Sequence, residues 1–403
     1  MSLIVQKFGG SSVANAECIR RVAGIIAETH RAGNELIVIL SAQGDTTDDL
    51  IDKAAELNPR ASKRELDMLM STGEQASVAL MAICLKGMGI PAVSLTGWQI
   101  GLKTSSDYGN ARIEALSGER IKKELGQGRV VLVAGFQGIS ASGDITTLGR
   151  GGSDTSAVAV AAALRADKCQ IFTDVDGVYT ADPRKVKAAR RLEEITYQEM
   201  LELASLGAQV LHNRSVELAR KYQVPMEVLS SFTNTPGTLV KEVTKNMEQH
   251  EIAGIAKDTN VTLIAIIGLK DEPGKAFKVF RLLSNAKVNV DIILQSIGRG
   301  AQKDISFTVP GSDGEKALAV LEEHKDSLGY ERIDVDHAVA KVSVVGAGMA
   351  ATHGVAAQMF EALADAKINI NMISTSEITI SVLVATDQAD RAMNVIHEKF
   401  FPQ

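Results

Sequence analysis

The sequence predicts an α/β domain on a mainly parallel sheet, followed by two copies of a small βαββαβ unit. Three observations lead there. Over about the first 170 residues, short apolar stretches alternate with longer amphipathic ones, the pattern of strands and helices in a parallel sheet. Nearly every polar, glycine-rich loop falls at the end of a strand-like stretch, where such sheets bind ligands. Residues 274–293 reappear as residues 354–373, at a constant offset of 80.

Each element has its own signal. Leu3–Phe8 is a short apolar strand ending in Gly9-Gly10-Ser11-Ser12, and Ala16–His30 places Ile19, Val22, Ala23 and Ile26 on one helical face. Glu35–Leu40 reads as a buried strand. Further strands are expected at 91–95, Val130–Ala134 and Gln170–Thr173, with helices near 64–88, 109–126 and 153–166. In the repeat, each unit reads strand, glycine turn, amphipathic helix, strand, strand, helix. The first copy adds a fourth strand near Glu331–Ala338. The second ends too soon after its helix 388–399 to do so, and Ile252–Lys257 is expected to cross back and supply that strand.

The loop Thr147-Leu-Gly-Arg-Gly-Gly-Ser-Asp-Thr-Ser156 concentrates the chemistry: three glycines, an arginine, an aspartate and four hydroxyls in ten positions. It opens onto Ala157–Leu164, a strong helix former, so free N–H groups and the positive end of a helix dipole face an anion. Helix capping would explain one hydroxyl or acid, but not Arg150 together with Gly149, Gly151 and Gly152. Other loops are weaker signals taken singly. Lys7 beside Gly9 and Gly10 suits phosphate neutralisation, as well as an ordinary surface position. Ser41 and Thr47 flank a turn, and Glu74 precedes an apolar helical segment. Thr173–Arg184, with three acids, Tyr179 and Arg184, is too acidic for a core and could frame a nucleotide or a metal.

Composition removes several classes. A net charge of −6 gives no basic footprint for nucleic acid. Cys18, Cys84 and Cys169 are far apart and form neither a disulfide framework nor a zinc pattern. No apolar run is longer than the eight residues 157–164, far short of a membrane span, and the N-terminus has no signal-peptide pattern. A cytoplasmic location is expected. Gly274-Lys275-Ala276 lacks the Ser/Thr and spacing of a Walker loop. Gly346-Ala-Gly-Met-Ala-Ala351 fits the dinucleotide fingerprint but has too little chain after it for that fold.

Six segments occur in one order: Lys7-Phe8-Gly9-Gly10-Ser-Ser12, Ser41-Ala-x-Gly-x-Thr-Thr-Asp48, Thr72-Gly-Glu74, Gly135-Phe-Gln-Gly138, Leu148–Asp154 and Asp174–Arg184. Together they resemble the aspartate kinase family of the monofunctional type. That resemblance implies an amino-acid-kinase three-layer sandwich over 1–245, then two ferredoxin-like ACT domains over 260–339 and 340–403, the second completed by 252–257. It implies ATP and Mg²⁺ as cofactors and L-aspartate as acceptor, its side-chain carboxylate attacking the γ-phosphate without a general base. By the same resemblance, Lys7 contacts the phosphates and Asp154 organises the reaction. Arg150 binds the substrate's α-carboxylate, Glu74 its α-ammonium, and Ser41, Thr47 and Ser153 help hold it. Phe8, Gly9, Gly10, Thr173, Asp174, Tyr179 and Arg184 surround the nucleotide.

The ACT resemblance implies feedback control by lysine, threonine or both, and a homodimer or tetramer formed through these domains. The effector is expected against Gly274, Lys275, Ala276, Asn289, Val290, Asp291, Ile292 and Gln295. The second copy contributes Asn369, Ile370, Asn371, Ser374 and Thr375. Asp291 stands where the second copy has Asn371, so the two copies are expected to differ in binding an ammonium group. Some relatives make a separate regulatory subunit from an internal start, for which Met247 is placed. Two features depart from the family pattern: Gln43 where methionine is usual, and Gln209–Asn213 in a nucleotide-side loop. Two other classes remain open at this level: a different kinase of the same fold, acting on acetylglutamate, glutamate or uridylate, and an inactive amino-acid sensor.

Overall fold

The alternation of apolar strands and amphipathic helices produces a sandwich whose central sheet has eight strands. The computed structural model describes residues 2–208, 210–244, 252–298, 302–350 and 352–402; Gln209 and Met247 lie outside them. The chain forms two compact units. One holds Met1–Tyr179, Arg191–Ser205 and Gln209–Met247, and the other Thr180–Arg190, Leu206–Ala208 and Glu248–Gln403.

In the first unit β1 (Leu3–Phe8) leads to α1 (Ala16–Arg31), whose start is capped by Asn15 accepting the Cys18 N–H at 3.0 Å. β2 (Glu35–Leu40) is buried at five of six positions and is followed by α2 (Thr46–Leu57). Ser62 accepts the Glu65 N–H to start the 25-residue α3 (Lys63–Gly87). Then come β3 (Ala92–Leu95), β4 (Leu102–Thr104), β5 (Ile113–Leu116), α4 (Glu119–Leu125), β6 (Val130–Ala134), β7 (Gln137–Ser140) and β8 (Ile145–Thr147). The unit continues with α5 (Gly152–Leu164), β9 (Lys168–Thr173), β10 (Glu194–Thr196), α6 (Tyr197–Ser205), α7 (Asn213–Tyr222), β11 (Met226–Ser230) and β12 (Thr238–Lys241).

The sheet order is β10-β12-β11-β9-β1-β2-β6-β3, and every pair is parallel except β11–β12. Alternation along the strands divides the core between two faces. Phe8, Leu36, Leu40 and Leu132 meet Ile26 of α1 and Met81 and Leu85 of α3. Val5, Ile37 and Ile39 are fully buried on the other face, where α5 lies against β1 and β2. By length and apolar composition α3 could cross a membrane. Its buried Asp67, Ser71 and Glu74 instead mark a layer of the sandwich.

One expectation fails. The helix anticipated over 109–126 exists only as α4; Ile113–Leu116 instead pairs with β4, in a separate four-stranded sheet β5-β4-β7-β8. Gly118, at φ 64°, breaks the chain between strand and helix. The apolar spacing of this short segment suits either structure, and pairing decided it.

The second unit contains β13 (Gly254–Asp258), β14 (Val261–Lys270), α8 (Lys275–Asn285), β15 (Ile293–Gln295), β16 (Gln302–Pro310), α9 (Gly314–Glu323), α10 (Lys325–Leu328) and β17 (Arg332–Asp336). It ends with β18 (Val339–Val345), α11 (Val355–Asp365), β19 (Met372–Thr375), β20 (Thr379–Ala385) and α12 (Ala389–Phe400). The two sheets run β15-β16-β14-β17 and β19-β20-β18-β13. β13 therefore occupies in the second copy the place that β17 fills in the first. The repeat extends to backbone conformation. Gly274 and Gly354 start equivalent helices at φ 90° and 91°, and Lys287 and Lys367 follow them at φ 57° and 56°.

Candidate active site

The carboxyl ends of β1, β2, β6 and β9 carry most of the residues singled out above. Lys7, next to last in β1, reaches Asp154 in the first turn of α5, with Nζ 2.6 Å from Oδ1. Both side chains are only 12% exposed, so their charges interact with little screening by water. α5 can approach so closely because of glycine. A Cβ on Gly135 would fall 2.7 Å from Ser153 Oγ, and one on Gly151 would fall 2.2 Å from His212 Cγ. Gly149 and Gly151, at φ 77° and 66°, turn the loop into the helix. The Phe136 N–H donates to Ser156 Oγ at 3.1 Å, tying the end of β6 to the same helix.

The adjacent loops interlock. Phe8 stacks on Phe172 with centroids 4.5 Å apart, and the Gly9 and Ser41 N–H groups donate to Phe172 and Phe8 carbonyls. A Cβ on Gly10 would meet the Ala42 carbonyl at 2.9 Å, and one on Gly73 would meet Ala42 Cβ at 2.8 Å. This contact aims the Ala42 N–H at Glu74 Oε1, 3.2 Å away. Glu74 is 3% exposed, and its Oε2 is buried without a hydrogen-bond partner among the described residues. Burial pushes its carboxyl up to about 7. A buried carboxylate with one unpartnered oxygen is suited to a cationic ligand. Arg150 is exposed at the tip of the loop, and Thr47 sits half-buried in the first turn of α2. The Gln43 amide, at the unusual position, donates to the Val13 carbonyl at 2.8 Å.

On the β9 side, Thr173 Oγ1 donates to Asp174 at 3.0 Å, and the Tyr179 hydroxyl donates to Asp176 at 2.7 Å. Arg191 lies 3.9 Å from Asp176. Arg184 is not part of this unit. It belongs to the segment Thr180–Arg190 of the second unit, where its 80% exposed side chain pairs with Asp182.

Two positioning residues escaped the sequence reading. Asp67, fully buried, accepts the Thr147 hydroxyl at 2.7 Å and the Thr147 and Gly109 N–H groups at 2.9 Å. It thus anchors the start of the glycine loop. Its signal was present: positions 67, 71 and 74 put polar groups on the buried face of an apolar helix. Arg214 donates to the Leu148 and Ala111 carbonyls, at 2.5 and 2.9 Å, and braces the loop from α7. A cation in the first turn of a helix opposes the dipole, which marks it as odd.

In the second unit, a cavity of about 310 Å³ is lined by Gly274, Lys275, Ala276 and Gln295, with Asp271, Glu272 and Lys303. It therefore offers charges of both signs. Asn289–Ile292 is not in its lining. Asp291 instead pairs with the ammonium of Lys341, whose side chain is 5% exposed. Asn371 N–H donates to Leu383, and Ser374 and Thr375 lie on β19 at the sheet edge.

A glycine-rich helix start and a lysine at a strand end, with a buried glutamate on a helix packed against the same sheet, suit a site that takes an anionic and a cationic group. A model of the amino acid kinase family matches residues 2–230, and an ACT domain model matches 264–324 and 342–400. The aspartokinase of Mycolicibacterium smegmatis is 49% identical over 405 aligned residues, covering 99% of this chain and 96% of the relative. Among solved structures, E. coli aspartokinase III in complex with aspartate and ADP (R-state) is 28% identical, with TM-score 0.84, over 99% of this chain and all of the other. The same enzyme in complex with lysine and aspartate (T-state) gives 27% identity and TM-score 0.78, over 99% of each chain. The chain belongs to the amino acid kinase family and, within it, to the aspartokinases, which are ATP-dependent kinases.

Proposed function

We propose that the enzyme transfers the γ-phosphate of ATP to the β-carboxylate of L-aspartate, giving 4-phospho-L-aspartate, the first step towards lysine, threonine and methionine. The observation that carries this reading is Glu74: a buried carboxylate that accepts the Ala42 N–H, with its second oxygen unpartnered among the described residues and so suited to an ammonium group. Arg150, exposed at the loop tip, can grip the α-carboxylate with two parallel hydrogen bonds. Ser41, Thr47 and Ser153 would complete the acceptor pocket.

The acceptor is already ionised at neutral pH, so alignment and charge neutralisation are the catalytic problem. Lys7 supplies positive charge to the phosphoryl group in flight, and Asp154 fixes the direction of its ammonium. The Gly152 N–H donates to the Gly149 carbonyl at 2.9 Å, and those of Ser153 and Asp154, which have no partners within the helix, add donors on the same side. Gly9, Gly10, Thr173, Asp174 and Tyr179 would hold the nucleotide. Mg²⁺ would arrive on the ATP phosphates. No cluster of three or more His, Cys, Asp or Glu among the described residues could bind a metal unaided, while Asp154 in the first turn of α5 and Asp174 just after β9 offer carboxylates. Bound there, it would supply further charge neutralisation.

Regulation by lysine, threonine or both is the second part of the reading. The cavity beside Gly274–Ala276 has acids for an ammonium and lysines for a carboxylate, as an amino-acid ligand requires. The lysine-bound T-state relative supports the same reading. The outer strand β15 exposes Ile293 and Leu294, with Ile297 beyond it, which supports assembly into a dimer or tetramer through the ACT repeats. Product trapping tests both parts together. With Mg-ATP, aspartate and hydroxylamine, the enzyme should form aspartyl hydroxamate, and lysine plus threonine should suppress it. Hydroxamate that neither amino acid lowers would remove the proposed effectors, and no hydroxamate would remove the proposed product.

A further inference from the structure

The helix that carries Glu74 also holds the loop that carries Arg150. Asp67 lies on α3 two turns before Glu74, roughly 10 Å along the helix axis. Its side chain has no exposed surface, and its hydrogen bonds converge on one place. Oδ1 accepts the Thr147 hydroxyl at 2.7 Å, and Oδ2 accepts the Thr147 and Gly109 N–H groups, both at 2.9 Å. Between Asp67 and Glu74, the Ser71 carbonyl accepts the Gln137 side-chain amide at 2.8 Å, and Gln137 is the register partner of Thr147 across β7 and β8. The buried face of α3 therefore grips the β7–β8 hairpin twice before it reaches Glu74.

That grip is passed on to Arg150. The Thr147 carbonyl accepts the Ala111 N–H at 2.9 Å, and the Leu148 N–H donates to the Phe136 carbonyl at 2.8 Å. Gly109, whose N–H is on Asp67, turns its carbonyl towards Gly149, where a Cβ would fall 3.0 Å from it. The chain thus enters Gly149 and Arg150 from a fixed point. Without Asp67, the Thr147 and Gly109 N–H groups would lose their acceptor, and the loop would move to regain one. A group on a loop is placed less precisely than one on a helix unless such contacts hold it.

We propose that Asp67 is a positioning residue for the acceptor: by pinning Thr147 to α3 it sets the distance between Arg150, which takes the α-carboxylate, and Glu74, which takes the α-ammonium. The proposal rests on the acceptor-binding reading of Arg150 and Glu74. Asp67 touches no substrate. It acts on aspartate affinity because an arginine at the wrong distance reaches the carboxylate only by moving its loop, and that cost appears as weaker binding. ATP affinity should barely respond, because Lys7 and the loop Thr173–Tyr179 are positioned by β1 and β9.

The test measures kcat/KM for aspartate at saturating Mg-ATP in the full-length enzyme. It compares Asp67→Ala, Asp67→Asn, Thr147→Val and Thr147→Ser, with Arg150 intact and with Arg150→Ala. Arg150→Ala alone should lower the value about 100-fold, the scale of two charge-assisted hydrogen bonds. Asp67→Ala should lower it about tenfold, and Thr147→Val, which removes one bond at constant shape, about threefold. These losses should fall on KM for aspartate, with kcat and KM for ATP within about twofold of wild type. Asn can keep all three contacts through its amide, and Ser keeps the hydroxyl, so both conservative variants should stay within about twofold. Because Asp67 acts through Arg150, adding Asp67→Ala or Thr147→Val to Arg150→Ala should cost less than about twofold more.

Losses that multiply in the double variants, or that fall equally on kcat and on both KM values, would reduce Asp67 to a structural residue. If Arg150→Ala lowers kcat/KM for aspartate while Asp67→Ala and Thr147→Val do not, the positioning role is wrong and the acceptor reading stands. If Arg150→Ala leaves it unchanged, the acceptor reading falls and the proposal with it. Should Asp67→Ala not fold, Thr147→Val, which leaves both N–H contacts in place, decides by the same comparison.

Discussion

Replacing Glu74 by Gln should make the free enzyme more stable and the working enzyme nearly inert. The carboxyl has an ordinary value of 4.5 and is raised to about 7 by burial. Between those values the folded protein holds a proton that the unfolded chain has released, so this group's contribution to stability falls as pH rises from 4.5 to 7. At pH 8 the ionised, buried carboxylate then costs about 3 kcal/mol in the absence of ligand, an order of magnitude taken from the shift. Glutamine removes the charge at nearly the same shape. Urea unfolding without aspartate should therefore show Glu74→Gln to be more stable than wild type at pH 8 and similar at pH 4. Aspartate should stabilise wild type only. Losing one partner of a buried ion pair is worth about 3–5 kcal/mol, so kcat/KM for aspartate should fall at least about 100-fold. Its acid limb, which in wild type should reflect a group titrating near 7, should disappear. A variant that is less stable at pH 8 and still binds aspartate normally would refute the assignment of Glu74 as the ammonium site.

Two further predictions concern the other charged pairs. Lys7→Ala should lower kcat at least about 100-fold, the scale of losing a transition-state charge contact, with a smaller effect on KM for ATP. Steady-state kinetics with turnover near normal would take Lys7 out of the mechanism. Asp291→Ala leaves the buried Lys341 without its carboxylate. Because Asp291 itself is 57% exposed, thermal unfolding of the second unit should lose only about 1 kcal/mol, and end-product inhibition should weaken. Inhibition curves that superimpose on wild type would exclude Asp291 as an effector contact.

What could be read from the sequence follows from how local each signal is. β2 and β9 announce themselves by apolar runs, and α5 by the glycine loop before it, because those patterns need only neighbours in the chain. The two-copy unit was legible because an 80-residue offset preserves even Gly274 against Gly354. Pairing between distant segments was harder. Ile113–Leu116 becomes a strand only because Leu102–Thr104 lies beside it. Asp67 and Arg214 gain their roles from carbonyl and N–H groups brought near by folding, with nothing adjacent in sequence to indicate it. The hydrogen bond between Thr180 and His397 joins residues 217 apart and has no local signature at all.

The most direct test of the acceptor site is a crystal structure with aspartate and ADP. The account predicts the substrate's α-ammonium within hydrogen-bond distance of Glu74 Oε2, its α-carboxylate on Arg150, and its β-carboxylate directed towards Lys7. Aspartate bound with its ammonium away from Glu74, or with its β-carboxylate turned from Lys7, would contradict it.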